Sequence, residues 1–257
     1  MYKKTTLIAL NTIVVKEITR FTRIWTQTIL PPTISMALYF VIFGSLIGPR
    51  IGTMNGFNYI EYIAPGLIMM AIINNSYGNV VSSFFGAKFQ KHIEEMLVAP
   101  IPNIIILIGF VTGGVARGIC VGIVVTLVAL FFTKLSLHSL GITIAVVLLT
   151  SIAFSLGGFI NAIFAEKFDD IAIVPNFILT PLIYLGGVFY SIDMLPEFWQ
   201  RISGLNPILY MVNAFRYGIL GESDINIINA FTILIIFILV LFSISLHLLN
   251  KGTGIKN

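Results

Sequence analysis

Residues 84–102 read FFGAKFQKHIEEMLVAPIP, from Phe84 to Pro102. Lys88, Lys91, Glu94 and Glu95 stand within eight residues of one another, and long charge-free runs lie on either side. Phe85, Phe89, His92 or Ile93, and Met96 or Leu97 recur at helical spacing. The pattern predicts a short amphipathic helix, apolar on one side and charged on the other. Pro100 and Pro102 stop it. Such a helix between two membrane spans lies flat at the interface with its charges in water. Two roles are open to it: a docking surface for a soluble partner, or a solvated loop that keeps two spans apart.

Composition settles the surroundings of that stretch. The chain has 257 residues, 57% hydrophobic and 10% charged, with a mean hydropathy of +0.98. A soluble domain carries roughly 25% charged residues, so there are too few polar side chains here to cover a surface facing water. The class is an all-α integral membrane protein. Cys120 is a lone cysteine inside an apolar run, which excludes an intramolecular disulfide. No cleavable signal peptide is expected, because 24 residues with several charges precede the first apolar run, and that run is too long for an h-region.

Six spans are predicted, at about 25–47, 62–83, 103–132, 141–164, 171–190 and 227–249, since crossing the hydrocarbon takes about 20 residues. Pro31 and Pro32 bend the start of the first, and Pro65 falls in the first turn of the second. The second span also carries Asn74, Asn75, Ser76 and Asn79, amides and a hydroxyl that bond to other helices or line a wet path. The third is long: ~30 residues at ~1.5 Å each exceed the ~30 Å core, so it tilts, bends or protrudes. Gly109, Gly113, Gly114, Gly118 and Gly122 give it two overlapping rows of small residues for close helix contact. Pro181 predicts a kink in the fifth. Before the first span, residues 1–24 carry Lys3, Lys4, Lys16, Arg20 and Arg23 against Glu17, with Leu7, Leu10, Val14, Ile18 and Phe21 on one face. They read as an interfacial helix on an anionic leaflet or as a basic tail that only sets orientation. In 191–226, Pro196 starts one short helix, and Asn206 with Pro207 cap and start a second. Together with Trp199 and Tyr210 these suit two re-entrant helices in one leaflet.

Six spans put both termini on one side. That side then holds ten basic residues, at 3, 4, 16, 20, 23, 88, 91, 167, 251 and 256, against four at 50, 134, 201 and 216. The asymmetry predicts cytoplasmic termini. The amphipathic stretch and the charged turn Glu166, Lys167, Asp169, Asp170 then face the cytoplasm. The whole of 1–257 reads as a single transmembrane domain.

Several chemistries are missing. No phosphate-cradling G-x-x-x-x-G-K-[ST] occurs, the three histidines lack metal-ligand spacing, and acids are absent from mid-span positions, which weighs against a proton-coupled carrier. Arg117 is the intramembrane charge. It is a substrate or inter-helix contact in a pathway, a snorkelling side chain, or a partner for helix-end carbonyls.

Residues 84–102, together with GGVFYSIDMLPEFWQRISGLNPILYMVNAFRYGILG from Gly186 to Gly221, resemble the permease subunit of ABC type-2 exporters. The likeness is to small bacterial permeases related to the daunorubicin-resistance, nodulation-factor and capsular-polysaccharide exporters, and it covers nearly the whole chain. Gly186-Gly187, Leu195-Pro196, Asn206-Pro207 and Arg216 are in register with the second motif. Glu94-Glu95 before Leu97–Pro100 match the first, although Lys88-Phe89-Gln90-Lys91 stands where relatives often begin with Arg-Glu. The resemblance implies a half-transporter in a bacterial inner membrane, paired as a homodimer with two copies of a separate ABC ATPase that binds the ATP and Mg. This chain is then no enzyme, binds no cofactor, metal or nucleic acid, and meets membrane lipid. Phe84–Ala99 is implied to be the coupling helix, with Lys88, Phe89, Lys91, Glu94, Glu95 and Met96, and Glu166, Asp169 and Asp170 beside it, facing the ATPase. Asn74, Asn75, Asn79, Gly113, Arg117, Gly118 and Pro181 are the path and its packing, and Pro196, Trp199, Asn206, Pro207 and Arg216 the external gate. An apolar, acid-poor interior suits amphipathic, lipid-linked or drug-like cargo. The alternatives are a membrane anchor or assembly subunit that moves nothing, and a secondary carrier.

Overall fold

The computed structural model describes residues 2–254, so Lys256 of the basic asymmetry lies outside the described residues, as do the side chains of Lys3 and Lys4. The chain is helical almost throughout. Helix α1 (Tyr2–Arg23) leads into α2 (Trp25–Thr28), α3 (Leu30–Tyr39), a π-helical segment Phe40–Ile47 and α4 (Gly48–Ile51). A hairpin pairs β1 (Thr53–Met54) with β2 (Phe57–Asn58). Its turn is Asn55-Gly56 with φ of 50° and 83°, the left-handed pair that a two-residue hairpin needs. Then come α5 (Tyr59–Phe89), α6 (His92–Val98), α7 (Asn103–Phe132), α8 (Leu140–Phe164), α9 (Asp170–Val174), a second π segment Pro175–Leu179, and α10 (Thr180–Tyr184). A 3₁₀ turn Ile192–Met194, α11 (Glu197–Gly204), α12 (Pro207–Leu220) and α13 (Ile227–Lys251) complete the fold.

Among the described residues four segments are long and apolar enough to cross a membrane: Trp25–Ile51, Asn103–Phe132, Leu140–Phe164 and Ile227–Lys251. Helix α5, with 31 residues, is longer than any of them, but the amides and hydroxyls of Asn74 to Ser83 dilute its apolar character. It starts earlier than the sequence predicts because Asn58 and Glu61 form a capping box, the Glu61 carboxylate accepting from the Asn58 amide at 3.1 Å. Pro65 therefore lies in the second turn, not the first. The fifth predicted span is also corrected. Its helix ends at Tyr184, not Tyr190, because the backbone turns at Gly187 with φ +71° and Gly186 is pressed against Ile208, where a Cβ would lie 2.7 Å from Cγ2.

Helix α5 is the axis of the core, packed between α7 and α8 and touching α12. Tyr62 to Ile73 are buried without a break, as expected of a helix apolar all round. The glycines of α7 divide their work between two neighbours. A Cβ on Gly109 or Gly113 would lie 2.5 Å from Ile13 or Glu17 of α1. Gly114 and Gly118 instead meet Ser155 and Ser76, on α8 and α5. The two rows seen in the sequence are thus two helix contacts, each of which needs a bare backbone. Helix α1 lies along α7 rather than splayed away from it. Helix α12, expected near the interface, is mostly buried between α5, α8 and α13.

Candidate functional site

The single helix Phe84–Ala99 expected from the sequence is two helices. Helix α5 runs through to Phe89 and then reverses at Gln90-Lys91, where Lys91 takes a left-handed φ of +62°. The Lys91 amide donates to the Lys88 carbonyl at 2.9 Å, and Lys91 returns its own carbonyl to Glu94 at 3.1 Å. Helix α6 thus starts afresh, with Glu94 and Glu95 exposed in its first turn, where carboxylates suit the N-terminal dipole. Ile93 is buried, Met96 and Leu97 half-buried, and Ala99 is extended ahead of Pro100.

Lys88 does not belong to the outward charged face. Its Nζ donates to the carbonyls of Ile163 and Ala165, both at 2.7 Å, closing the C-terminus of α8 as a basic side chain can. Phe89, expected to anchor the apolar side of the amphipathic helix, is instead 61% exposed. It stands edge-on to Phe168 at 5.0 Å, and Phe168 in turn meets Phe85 at 5.0 Å. Phe168 escaped the sequence reading because the 165–170 turn was read for its charges alone. In that turn the Asp170 carboxylate accepts from the amides of Glu166 and Lys167, both at 2.9 Å. Those two amides hold the carboxyl below the usual carboxylate range. Glu166 and Asp169 remain exposed. Lys88 and Phe168 thus bring two segments, distant in sequence, into one surface: an exposed aromatic pair with Lys91, Glu94, Glu95, Glu166 and Asp169 on the same pair of segments.

The interior amides are engaged with helices. Asn74 donates to the Met70 carbonyl and Asn75 to that of Ala71. Arg117 donates to Asn75 Oδ1 at 3.1 Å and to the Thr28 carbonyl at 3.3 Å, so it joins α7 to α5 and to the end of α2. Arg20 donates to Asn79 Oδ1 at 2.7 Å. Beside it Glu17 is fully buried and accepts from Ser83 Oγ at 2.6 Å. The sequence reading placed Glu17 on a surface helix and missed it. Pro181 is exposed, the second residue of α10, and Pro175 opens the π segment before it, so the helical ladder changes to π spacing between the two prolines. Tyr39 of α3 and Phe43 of the first π segment meet Phe189, which stacks in turn on Tyr184 of α10, with Phe43–Phe189 at 4.9 Å and Tyr184–Phe189 at 5.7 Å.

At the opposite end of α5, Pro196 and Trp199 are exposed around α11. Asn206 caps α12 by accepting from the Ile208 amide at 3.0 Å, and its Nδ2 donates to the Leu182 carbonyl at 2.6 Å. Pro207 is the first residue of α12. Arg216 is not a surface residue. It is fully buried, with Nη2 on the Gly187 carbonyl at 2.6 Å, Nη1 3.8 Å from Asp224 Oδ2, and its guanidinium 4.0 Å from the centre of the Tyr62 ring. Asp224 also accepts from Tyr62 Oη and the Ile192 amide, both at 3.2 Å. A buried guanidinium requires such partners, and Tyr62, Gly187 and Asp224 supply them. The signal available in the sequence was the acid eight residues beyond Arg216. Among the described residues no group of three or more His, Cys, Asp or Glu side chains is gathered to hold a metal ion.

A helical core closed by glycine contacts, apolar segments of membrane-crossing length and a charged surface at one end of the long central helix are those of a multi-pass integral membrane protein. The chain belongs to the ABC-2 type transporter family, whose family model matches residues 8–220. It is 54% identical over 250 residues to the inner membrane transport permease YadH of Escherichia coli K12, covering 97% of this chain and 98% of that protein. It is 23% identical over 215 residues to Nodulation protein J of Rhizobium leguminosarum bv. viciae, covering 83% of each.

Proposed function

We propose that this chain is the membrane-spanning subunit of an ATP-driven exporter, paired with a second copy and driven by a separate ABC ATPase that carries the ATP and Mg. The observation that carries the reading is the surface at the end of α5. Lys88 clamps that end to α8, Phe89 and Phe168 form an exposed apolar anchor, and Glu94 and Glu95 present charge from a helix that starts afresh after a sharp turn. A rigid helix joined to α5 on one side and stopped by Pro100 on the other carries a push from a soluble partner into the core. Glu166, Asp169 and Asp170 flank the contact.

Six crossings follow on this reading: Trp25–Ile51, α5, α7, α8, residues 171–184 and α13. Both termini are then cytoplasmic in a bacterial inner membrane, and α11 with the start of α12 forms the external gate through Pro196, Trp199, Asn206 and Pro207. The second copy covers the exposed apolar side chains of Trp25–Ile51 and Asp170–Tyr184, among them Leu38, Leu46 and Phe177. Asn74 and Pro181 border the path between them, and membrane lipid covers the rest. An apolar path suits amphipathic, lipid-linked or drug-like cargo. The test is co-purification of the ATPase with wild type and with Glu94→Lys/Glu95→Lys. Both side chains are exposed, so the variant inserts normally, but like charges across an interface cost several kcal/mol and the ATPase is lost. A double variant that retains the ATPase returns the surface to a solvated loop and the chain to a membrane anchor.

A further inference from the structure

Helix α1 buries a charge in its packed stripe. Glu17 is fully buried between Ile13 and Phe21, one turn to either side, while Leu7, Ile8, Val15 and Ile18 are exposed. That arrangement suits apolar surroundings, where a charge must face protein. Three side chains hold the carboxylate. Ser83 Oγ donates at 2.6 Å, Arg20 Nε lies 3.5 Å from Oε2, and Lys16 Nζ lies 3.9 Å from Oε1. Arg20 continues to Asn79 Oδ1 and to the Asn79 carbonyl, one turn before Ser83 on α5. The seam is closed on its other side by α7, since a Cβ on Gly113 would lie 2.5 Å from Glu17 Cβ. Ser83 stands six residues before Phe89, the last residue of α5, from which α6 hangs. Apolar packing alone tolerates a helix sliding along its neighbour. A buried carboxylate does not, because a slip along α5 strands it without the Ser83 hydrogen bond, and Arg20, which travels with it on α1, loses Asn79.

We infer that Glu17 is a positioning residue: bonded to Ser83 of α5 and set in place by Arg20 of its own helix, its carboxylate locks α1 to α5, so that a displacement of α6 moves α1, α5 and α7 as one body. The inference rests on the coupling role proposed for α6. Spin labels on Val15→Cys of α1 and Gln90→Cys at the α5–α6 turn, in a Cys120→Ala background, report the α1–α5 register in the permease–ATPase complex in vesicles. In wild type the distance is the same with and without trapped ATP. In Glu17→Ala it matches wild type without nucleotide and departs from it with trapped ATP by a helix shift on the order of 2 Å. Glu17→Gln, which still accepts from Ser83, departs less. A merely structural role would disturb both states equally. The inference is overturned by a wild-type distance that changes with ATP, by a Glu17→Ala distance that does not, or by one already altered without nucleotide. Should Glu17→Ala fail to assemble, Ser83→Ala, which keeps the volume and removes one hydrogen bond, is read by the same criteria. The two readings fail separately: loss of the coupling role shows as ATPase retained by Glu94→Lys/Glu95→Lys, whereas loss of the lock shows in a complex whose ATPase contact depends on those acids.

Discussion

Helices α5, α7 and α8 and the walls formed by Trp25–Ile51 and Asp170–Tyr184 are built from similar residues and behave differently. The core helices are regular α-helix from end to end and meet through glycine and serine. The walls are interrupted, at Ile29 and by π segments at Phe40–Ile47 and Pro175–Leu179, and they display Leu38, Leu46 and Phe177 outward. Hydropathy does not separate the two kinds: Ile227–Lys251 averages 2.9 and Trp25–Ile51 only 1.7, yet both are mostly exposed, while Leu140–Phe164 at 2.2 is the best buried of the four apolar segments. What separates them is whether two backbones can approach. In lipid, where apolar area alone gives little drive to associate, close packing and interhelical bonds decide. π turns in a wall leave its ladder adjustable, and they recur at functional positions.

The comparison breaks most visibly at Arg216. Arg216→Met strands Asp224 without its cation, and removing one partner of a buried pair costs about 3–5 kcal/mol. Thermal unfolding in detergent should show that loss, with partial recovery in Arg216→Met/Asp224→Asn. A single variant as stable as wild type would remove this end of the core from the account. Gly118→Leu comes next. Its Cβ would fall on Ser76, and overpacking costs about 1–3 kcal/mol. Gly141→Leu, with nothing within 4 Å of the added Cβ, is the control and should unfold like wild type. Equal behaviour of the two would mean that the α7 glycines do not carry the core.

The walls should respond in the opposite sense. Phe177 is 77% exposed, so Phe177→Ala should leave unfolding within about 0.5 kcal/mol, while the proportion of paired permease, measured by light scattering in detergent, falls. Asp170 gives the smallest effect. Its folded carboxyl titrates below the unfolded value of about 3.9, so its contribution is present above that pH and is lost only as pH falls through the lower folded value. Hydrogen exchange at the Glu166 and Lys167 amides should stay protected below pH 3.9 in wild type. In Asp170→Asn the acid dependence should vanish.

Helical class, apolar content, the α7 glycine rows, the helix starts at Asn206-Pro207 and the helix stop before Pro100 were legible from residues alone, because each follows from local rules: period, capping, backbone without a side chain, proline without a donor. The turn at Gln90-Lys91 was not, since a left-handed lysine breaks a stretch whose apolar spacing continues through it. The membership in a transporter family was legible too, from Glu94-Glu95 and from Gly186 to Gly221. Three things needed the folded chain. Lys88 was counted with a charged face and turned out to cap α8, because which carbonyls lie open at a helix end is known only once the helices are placed. Arg216 was set at a gate and is buried, since its partners come from Tyr62, Gly187 and Asp224, as far as 154 residues away in the chain. Glu17 was given to a surface helix, yet it is enclosed, because an amphipathic pattern states that a helix has two faces but not which of them meets protein and which meets lipid.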